Sequence, residues 1–199
     1  MPPKRKAAGA ANPAKKAAAP PAHVAEAARQ PPAAKQPVFA PGSSYFLSGV
    51  MQGRKADGDG VEGTVPQDYR AQVAAAVLAA DSSAVVIEPW ELVAKLCEGM
   101  YPPGTSQSEM FKEDAHVRLA FSACVEAAAN ADVVISYLPE ASMGSAVEIY
   151  AAREAGRTVL AIAPGSMAGN WVVRSYADEL FASIDELSVW LGSHVTHAS

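Results

Sequence analysis

Between Asp132 and Ile162 the chain passes through a hydrophobic strand, a Pro/Ser/Gly loop, a short helix and a second hydrophobic strand. That succession is the signature of a βαβ unit, whose two strands lie parallel in one sheet. The same alternation extends in both directions. Ser44 to Gly49 reads as a first strand ending in glycine, and Thr64-Val-Pro-Gln67 opens a helix running to about Ala80, with threonine as cap and glutamine completing the box. Ala84 to Ile87 is a second strand, followed by a short helix from Glu91 to Cys97 and a longer one from about Ser108 to Ala129. Val133 to Tyr137, Thr158 to Ala163 and Phe181 to Ile184 supply three more strands, with a helix from Asn170 to Tyr176 and a last one beginning at Asp185. Strand and helix alternating in this way predict an α/β fold, and right-handed crossovers narrow the topology. The expectation is a flavodoxin/Rossmann-like three-layer sandwich with a five-stranded parallel sheet in the order 2-1-3-4-5.

In an open parallel sheet the ligand crevice lies beyond the carboxyl ends of the strands, at the point where strand order reverses. Here that point falls between strands one and three, bringing Ser48, Gly49 and the following loop opposite Leu138 to Ser145. One carboxylate stands out nearby. At about 100° per residue, Arg153, Glu154 and Arg157 cluster on one side of their helix, and Glu148 falls nearly opposite, among Ala151, Ala152 and Ala155. It therefore points toward the sheet, and a buried carboxylate needs a reason. Two readings are open. Ser145-Ala-Val-Glu148 fits a capping box in which Glu148 serves the cap's amide. Alternatively, Ser142-Met-Gly144-Ser145 supplies hydroxyls, a glycine for close approach and helix amides suited to an anion, with Glu148 facing a ligand.

Composition divides the chain. Residues 1 to 36 hold 14 Ala, 7 Pro, seven Lys/Arg and a single acid, Glu26. The net charge of −5 thus comes from an arm at +6 and a body at −11. The arm lacks the bulk to bury a core and reads as disordered over residues 1–40, leaving one domain over 41–194 and a short tail at 195–199. Pro-Lys-Arg-Lys with Lys15 and Lys16 is compatible with a nuclear import signal or with a solubilising tail, so an intracellular place in nucleus or cytoplasm is expected. Two arginines, no serine and repeated prolines oppose a mitochondrial presequence, and no apolar run is long enough for a membrane span. Cys97 and Cys124 are isolated, His116 stands alone and His194-x-x-His197 lies at the frayed terminus, so no metal is expected. An acidic body also argues against extended nucleic acid as partner.

After strand one, Gly49-Val-Met51-Gln-Gly53-Arg54 is neither a dinucleotide fingerprint nor a P-loop, but its Gln52 and Arg54 suit a phosphate or sugar. Together with Tyr45-Phe-x-small-Gly49, Ala-Asp132-Val-Val-Ile, Ser142-Met-Gly144-Ser145-Ala-Val-Glu148 and Asn170-Trp-Val-Val-Arg174, these segments resemble the nucleoside 2-deoxyribosyltransferase superfamily, which includes the nucleoside 5′-monophosphate N-glycosidases. The resemblance covers most of residues 44 to 191, and its most specific part runs from Ser142 to Glu148.

This resemblance implies cleavage of the N-glycosidic bond of a (deoxy)nucleoside or its 5′-monophosphate. Glu148 is implied as nucleophile, forming a covalent glycosyl-glutamate that water or a second base resolves, with Tyr45 orienting the carboxylate. Ser48, Gly49, Met51, Gly53, Arg54, Asp132, Ser142, Gly144 and Asn170 are implied in substrate binding. No cofactor is required. Ser142 matches the monophosphate glycosidases, whereas Tyr45 and Asn170 match the transferases. In the family the asparagine segment enters a neighbouring protomer's site, which implies a homodimer or higher oligomer. One departure stands out: the family's catalytic aspartate before strand three falls, in this register, on Cys124. A catalytically altered nucleotide-binding module of the same fold is therefore the competing reading. An FMN-binding flavodoxin is disfavoured by the absence of a Ser/Thr-rich phosphate loop after strand one.

Overall fold

The computed structural model describes residues 39–50, 67–102, 105 and 112–195. Five strands form one all-parallel sheet: β1 (Ser44–Gly49), β2 (Val85–Ile87), β3 (Val133–Tyr137), β4 (Thr158–Ile162) and β5 (Glu179–Phe181). Their order is β2-β1-β3-β4-β5, the arrangement expected from the sequence. The helices are α1 (Asp68–Ala80), α2 (Pro89–Leu96), α3 (Asp114–Asn130), α4 (Met143–Glu154), α5 (Trp171–Tyr176) and α6 (Ile184–His194). A 3₁₀ turn at Gly165–Gly169 precedes α5.

Side-chain alternation along the strands builds two cores. Tyr45 and Leu47 of β1, Val133 and Ile135 of β3, and Leu160 and Ile162 of β4 face one way, onto Val73 and Val77 of α1 and Leu187 and Leu191 of α6. Phe46, Val134, Val159 and Ala161 face the other way, onto Val93 of α2, Ala120 and Cys124 of α3 and Ile149 and Ala152 of α4. The sheet is thus covered on both sides, which explains why its central strands are largely apolar on both faces. Phe39 and Val195, one on each side of the expected domain limits at 41 and 194, form a parallel bridge and are both buried. The Phe39 ring also packs on Tyr45 and Trp190.

Several boundaries differ from the sequence reading, two of them for a clear local reason. β5 ends at Phe181 instead of beginning there, because Ser183 caps α6 by accepting from the Glu186 amide at 3.2 Å while Glu186 accepts from the Ala182 amide at 2.7 Å. Such a box stops the strand. α2 starts two residues early, because Pro89 occupies a first-turn position where its missing N–H is harmless. α3 runs from Asp114; Ser108, its expected start, lies outside the described residues. The amino edge of the sheet is tied by carboxylates. Asp132 accepts from the Ser44 amide at 2.8 Å and its hydroxyl at 2.7 Å, and Asp81 accepts from the Gly42 amide at 2.7 Å.

Candidate active site

Glu148 lies in the second turn of α4, on the face turned to the sheet, and is 5% exposed. A helix that starts beyond the carboxyl end of β3 and runs back antiparallel descends about 1.5 Å per residue. Five residues in, Glu148 is level with the last residues of β1, where the Ser48 hydroxyl donates to its Oε2 at 2.5 Å. Ser48 is in turn approached by Ser136, its register partner on β3, whose hydroxyl donates at 3.3 Å. Both serines are buried. Small polar side chains on neighbouring strands thus interrupt the apolar face and leave room for a carboxylate.

The capping reading of Glu148 is overturned. Ser142, not Ser145, is the cap of α4, accepting from the Ser145 amide at 3.2 Å and the Ser145 hydroxyl at 3.0 Å. Glu148 therefore lies six residues beyond the cap, out of reach of the reciprocal bond a capping box makes. Its carboxyl is pushed up to about 7, chiefly because burial penalises the charged form. The Ser48 hydrogen bond and the positive charge of Arg70 oppose that penalty.

Arg70, missed in the sequence, is the cation of this site. Only 5% exposed in the first turn of α1, it donates from Nη1 to the Leu47 carbonyl and from Nε to Gln67 Oε1 at 2.8 Å. Its Nη1 also lies 3.8 Å from Glu88 Oε2. β1 and β2 stay paired only as far as Phe46 and Ile87, so Arg70 takes a strand carbonyl just past the end of β2. Glu88, at that end, is itself raised by burial, with Arg70 opposing the shift. A signal was present: Arg70, Val73 and Val77 share one helical stripe, and the other two are core residues.

Tyr69, beside it, stacks on Tyr137 with ring centroids 4.5 Å apart. Its hydroxyl lies over Gly49, where a Cβ would overlap the hydroxyl and come within 2.9 Å of the ring's Cζ. The glycine that ends β1 is thus a close-approach glycine. Burial pushes the Tyr69 phenol up to about 12, with Glu148 among the charges acting on it.

The remaining expected residues divide clearly. Ser48 and Glu148 meet at the carboxyl end of β1, where Gly49 follows Ser48, and Ser142 and Gly144 stand at the start of α4, the helix that carries Glu148. Gly144 has no steric need to be glycine, since an added Cβ would make ordinary contacts with Phe121 and Ser142. Tyr45 is not brought to Glu148, and its expected orienting role is corrected. Residues 45 and 48 lie an odd number of positions apart, so their side chains point to opposite faces about 10 Å apart along the strand. Burial and the charges of Asp81 and Asp132, at the amino edge, push the Tyr45 phenol up to about 12.

Asp132 is likewise at the wrong end of the sheet, held below its ordinary ionisation by its hydrogen bonds from Ser44. Asn170 caps its own helix, accepting from the amides of Val172 at 2.9 Å and Val173 at 3.3 Å. Met51, Gly53 and Arg54, with Thr64 of the expected helix cap, lie outside the described residues. Cys124 is buried on α3 and close enough for the Glu148 charge to act on it. Its thiol is pushed up to about 11, mainly by burial, so it stays protonated and is a poor acid near neutrality. Among the described residues no group of three His, Cys, Asp or Glu side chains is arranged to hold a metal.

Solved structures are similar to this chain. A conserved protein from Enterococcus faecalis V583 superposes with a TM-score of 0.50 at 13% identity, covering 76% of this chain and 98% of its own. A 2-deoxyribosyltransferase from Bacillus psychrosaccharolyticus gives a TM-score of 0.48 at 15% identity, covering 73% of this chain and 90% of its own. Likeness at these identities concerns the fold. No protein-family profile matches the chain, and no curated protein sequence matches it significantly. No helix among the described residues is long and apolar enough to cross a membrane.

Proposed function

We propose that the chain cleaves the N-glycosidic bond of a (deoxy)nucleoside or its 5′-monophosphate, with Glu148 as nucleophile. One observation carries this reading: a buried carboxylate aimed at the carboxyl end of β1, oriented by Ser48 and poised to ionise near neutral pH. The crevice beyond those strand ends is where this fold binds ligands. A Glu148 oxygen attacks the anomeric carbon as the C1′–N bond breaks, giving a glycosyl-glutamate; water or a second base then displaces the glutamate. Ser48, itself fixed by Ser136, holds the carboxylate in one orientation. The cap Ser142 and the first-turn amides of α4 face the same end of the sheet and suit the hydroxyls or phosphate of the ligand.

The full chain incubated with a panel of deoxynucleosides, ribonucleosides and their monophosphates should liberate free base, read by chromatography. Release should vanish in Glu148→Gln with the fold intact, while no release from any substrate rejects the reading. One specific observation favours a second reading, a nucleotide-binding module without turnover: Cys124 occupies the place of the family's catalytic aspartate and cannot do its work. Saturable nucleotide binding without base release would select it.

A homo-oligomer belongs to the same proposal. Met143, Val147 and Tyr150 make an exposed apolar stripe along α4, and Trp171 on α5, next to Asn170, is 85% exposed. We assign this face to contact with a second copy.

A further inference from the structure

Two polar groups in the first turn of α1 are buried and unpaired among the described residues. Tyr69 Oη and Arg70 Nη2 have no hydrogen-bond partner there, and both side chains are more than nine-tenths buried. Native proteins rarely leave such groups unpaired, because each forfeits its water without compensation. Neither is loosely placed. The guanidinium is pinned through Nη1 to the Leu47 carbonyl and through Nε to Gln67, which leaves Nη2 as its unpaired prong. The Tyr69 ring is clamped between Tyr137 and the bare backbone of Gly49. Gly49 and Tyr137 are register partners at the ends of β1 and β3, and Leu47 immediately precedes Ser48. Both orphaned groups therefore flank the strand end that Glu148 reaches, from the α1 layer, whereas Glu148 reaches it from the α4 layer.

Their chemistry narrows the ligand. A guanidinium only donates. The phenol stays protonated throughout the neutral range and so also has a proton to donate. Two fixed donors select an oxygen acceptor, and most strongly one that gains negative charge. In-line displacement at the anomeric carbon requires nucleophile and leaving group on opposite sides, which here are the two layers of the fold. We propose that Tyr69 Oη and Arg70 Nη2 form a two-donor subsite for a carbonyl oxygen of the nucleobase and hold the charge that develops there as the base departs. This rests on the glycosidic-cleavage reading and supplies what Cys124 cannot. The Glu148–C1′ bond forms, the C1′–N bond breaks, and its electron pair passes into the base and onto the carbonyl oxygen. The base leaves as an oxyanion hydrogen-bonded to both donors and takes its proton from water.

2′-Deoxyinosine and 2′-deoxyadenosine test this, since they differ in carrying an oxo or an amino group at one ring position. Tyr69→Phe removes only the hydroxyl and keeps the ring stacked. It should lower kcat/KM for deoxyinosine about tenfold, as expected for one hydrogen bond to a charged group, and change that for deoxyadenosine less than about twofold, with an unchanged or higher Tm. Arg70→Lys, which keeps the charge but loses the fork, should act in the same direction. Calorimetric titration with free hypoxanthine and free adenine is the second readout: the wild type should prefer hypoxanthine, and Tyr69→Phe should level the two. Equal losses on both nucleosides, or none, overturn the subsite. If the wild type releases no base, cleavage itself falls and the titrations alone decide: a hypoxanthine preference abolished by Tyr69→Phe upholds the two donors, and equal affinities reject them.

Discussion

Replacing Glu148 by Gln should make the stability of this protein respond differently to pH, and the difference can be worked from its surroundings. In the unfolded chain the carboxyl titrates near 4.5; in the folded protein burial holds it near 7. Between those values the folded state binds a proton that the unfolded state has released, so this group makes stability fall as pH rises. The sign is opposite to that of a salt-bridged carboxylate. At about 1.36 kcal/mol per unit, ionising Glu148 removes about 3 kcal/mol by pH 8. For a domain of this size that corresponds to roughly 6–12 °C in Tm. The substituted amide can still accept from Ser48 but has no proton to lose. The assay is thermal or urea unfolding of both proteins from pH 4 to pH 8.5, plotted as the difference between them. All other titrating groups cancel in that difference. It should move in favour of Glu148→Gln across the window from 4.5 to 7 and be flat outside it. A difference independent of pH would refute the idea that Glu148 is buried with a raised ionisation.

The remaining expectations follow from the same geometry. Base release should rise with pH through about 7, because only the ionised Glu148 attacks; kcat/KM at pH 6 should be about tenfold below its plateau, and a profile flat from pH 5 to 8 contradicts the assignment. Gly49→Ala should destabilise by about 1–3 kcal/mol, since the new methyl meets the clamped Tyr69 ring, and Gly49→Ala with Tyr69→Phe should lose less in urea unfolding than the separate effects added. Trp171→Glu should convert the assembly to a monomer in sedimentation velocity, whereas an unchanged sedimentation coefficient would remove the α4–α5 face as the contact.

Much of the architecture was readable because it depends on short-range patterns. Buried parallel strands such as β3 open on apolar runs, here Val133 to Ile135, and helices between them show which face is charged, as Arg153 and Glu154 do opposite Glu148. Those alternations and the handedness of crossovers narrowed the strand order to a few arrangements, of which the expected 2-1-3-4-5 is the one observed. Errors occurred where a single hydrogen bond sets a boundary. Ser142 and Ser145 are equally good caps on paper, and only the chain's exit from β3 makes Ser142 the one whose oxygen meets the first free amides.

The sequence by itself determined the α/β class and the inward direction of Glu148, because periodicity carries both locally; the 2-1-3-4-5 order, expected as one of the common doubly wound arrangements, was decided by the tertiary structure. Only the tertiary structure decided what surrounds that carboxylate. Tyr45 belongs to a matching motif, yet strand alternation sends it into the opposite core, while Asp132 braces the amino edge. In their stead come Ser136, from a neighbouring strand, and Tyr69 and Arg70, from a helix on the other layer. Residues far apart along the chain share one environment because parallel strands end together. That convergence is a property of the sheet, absent from any single segment of the chain.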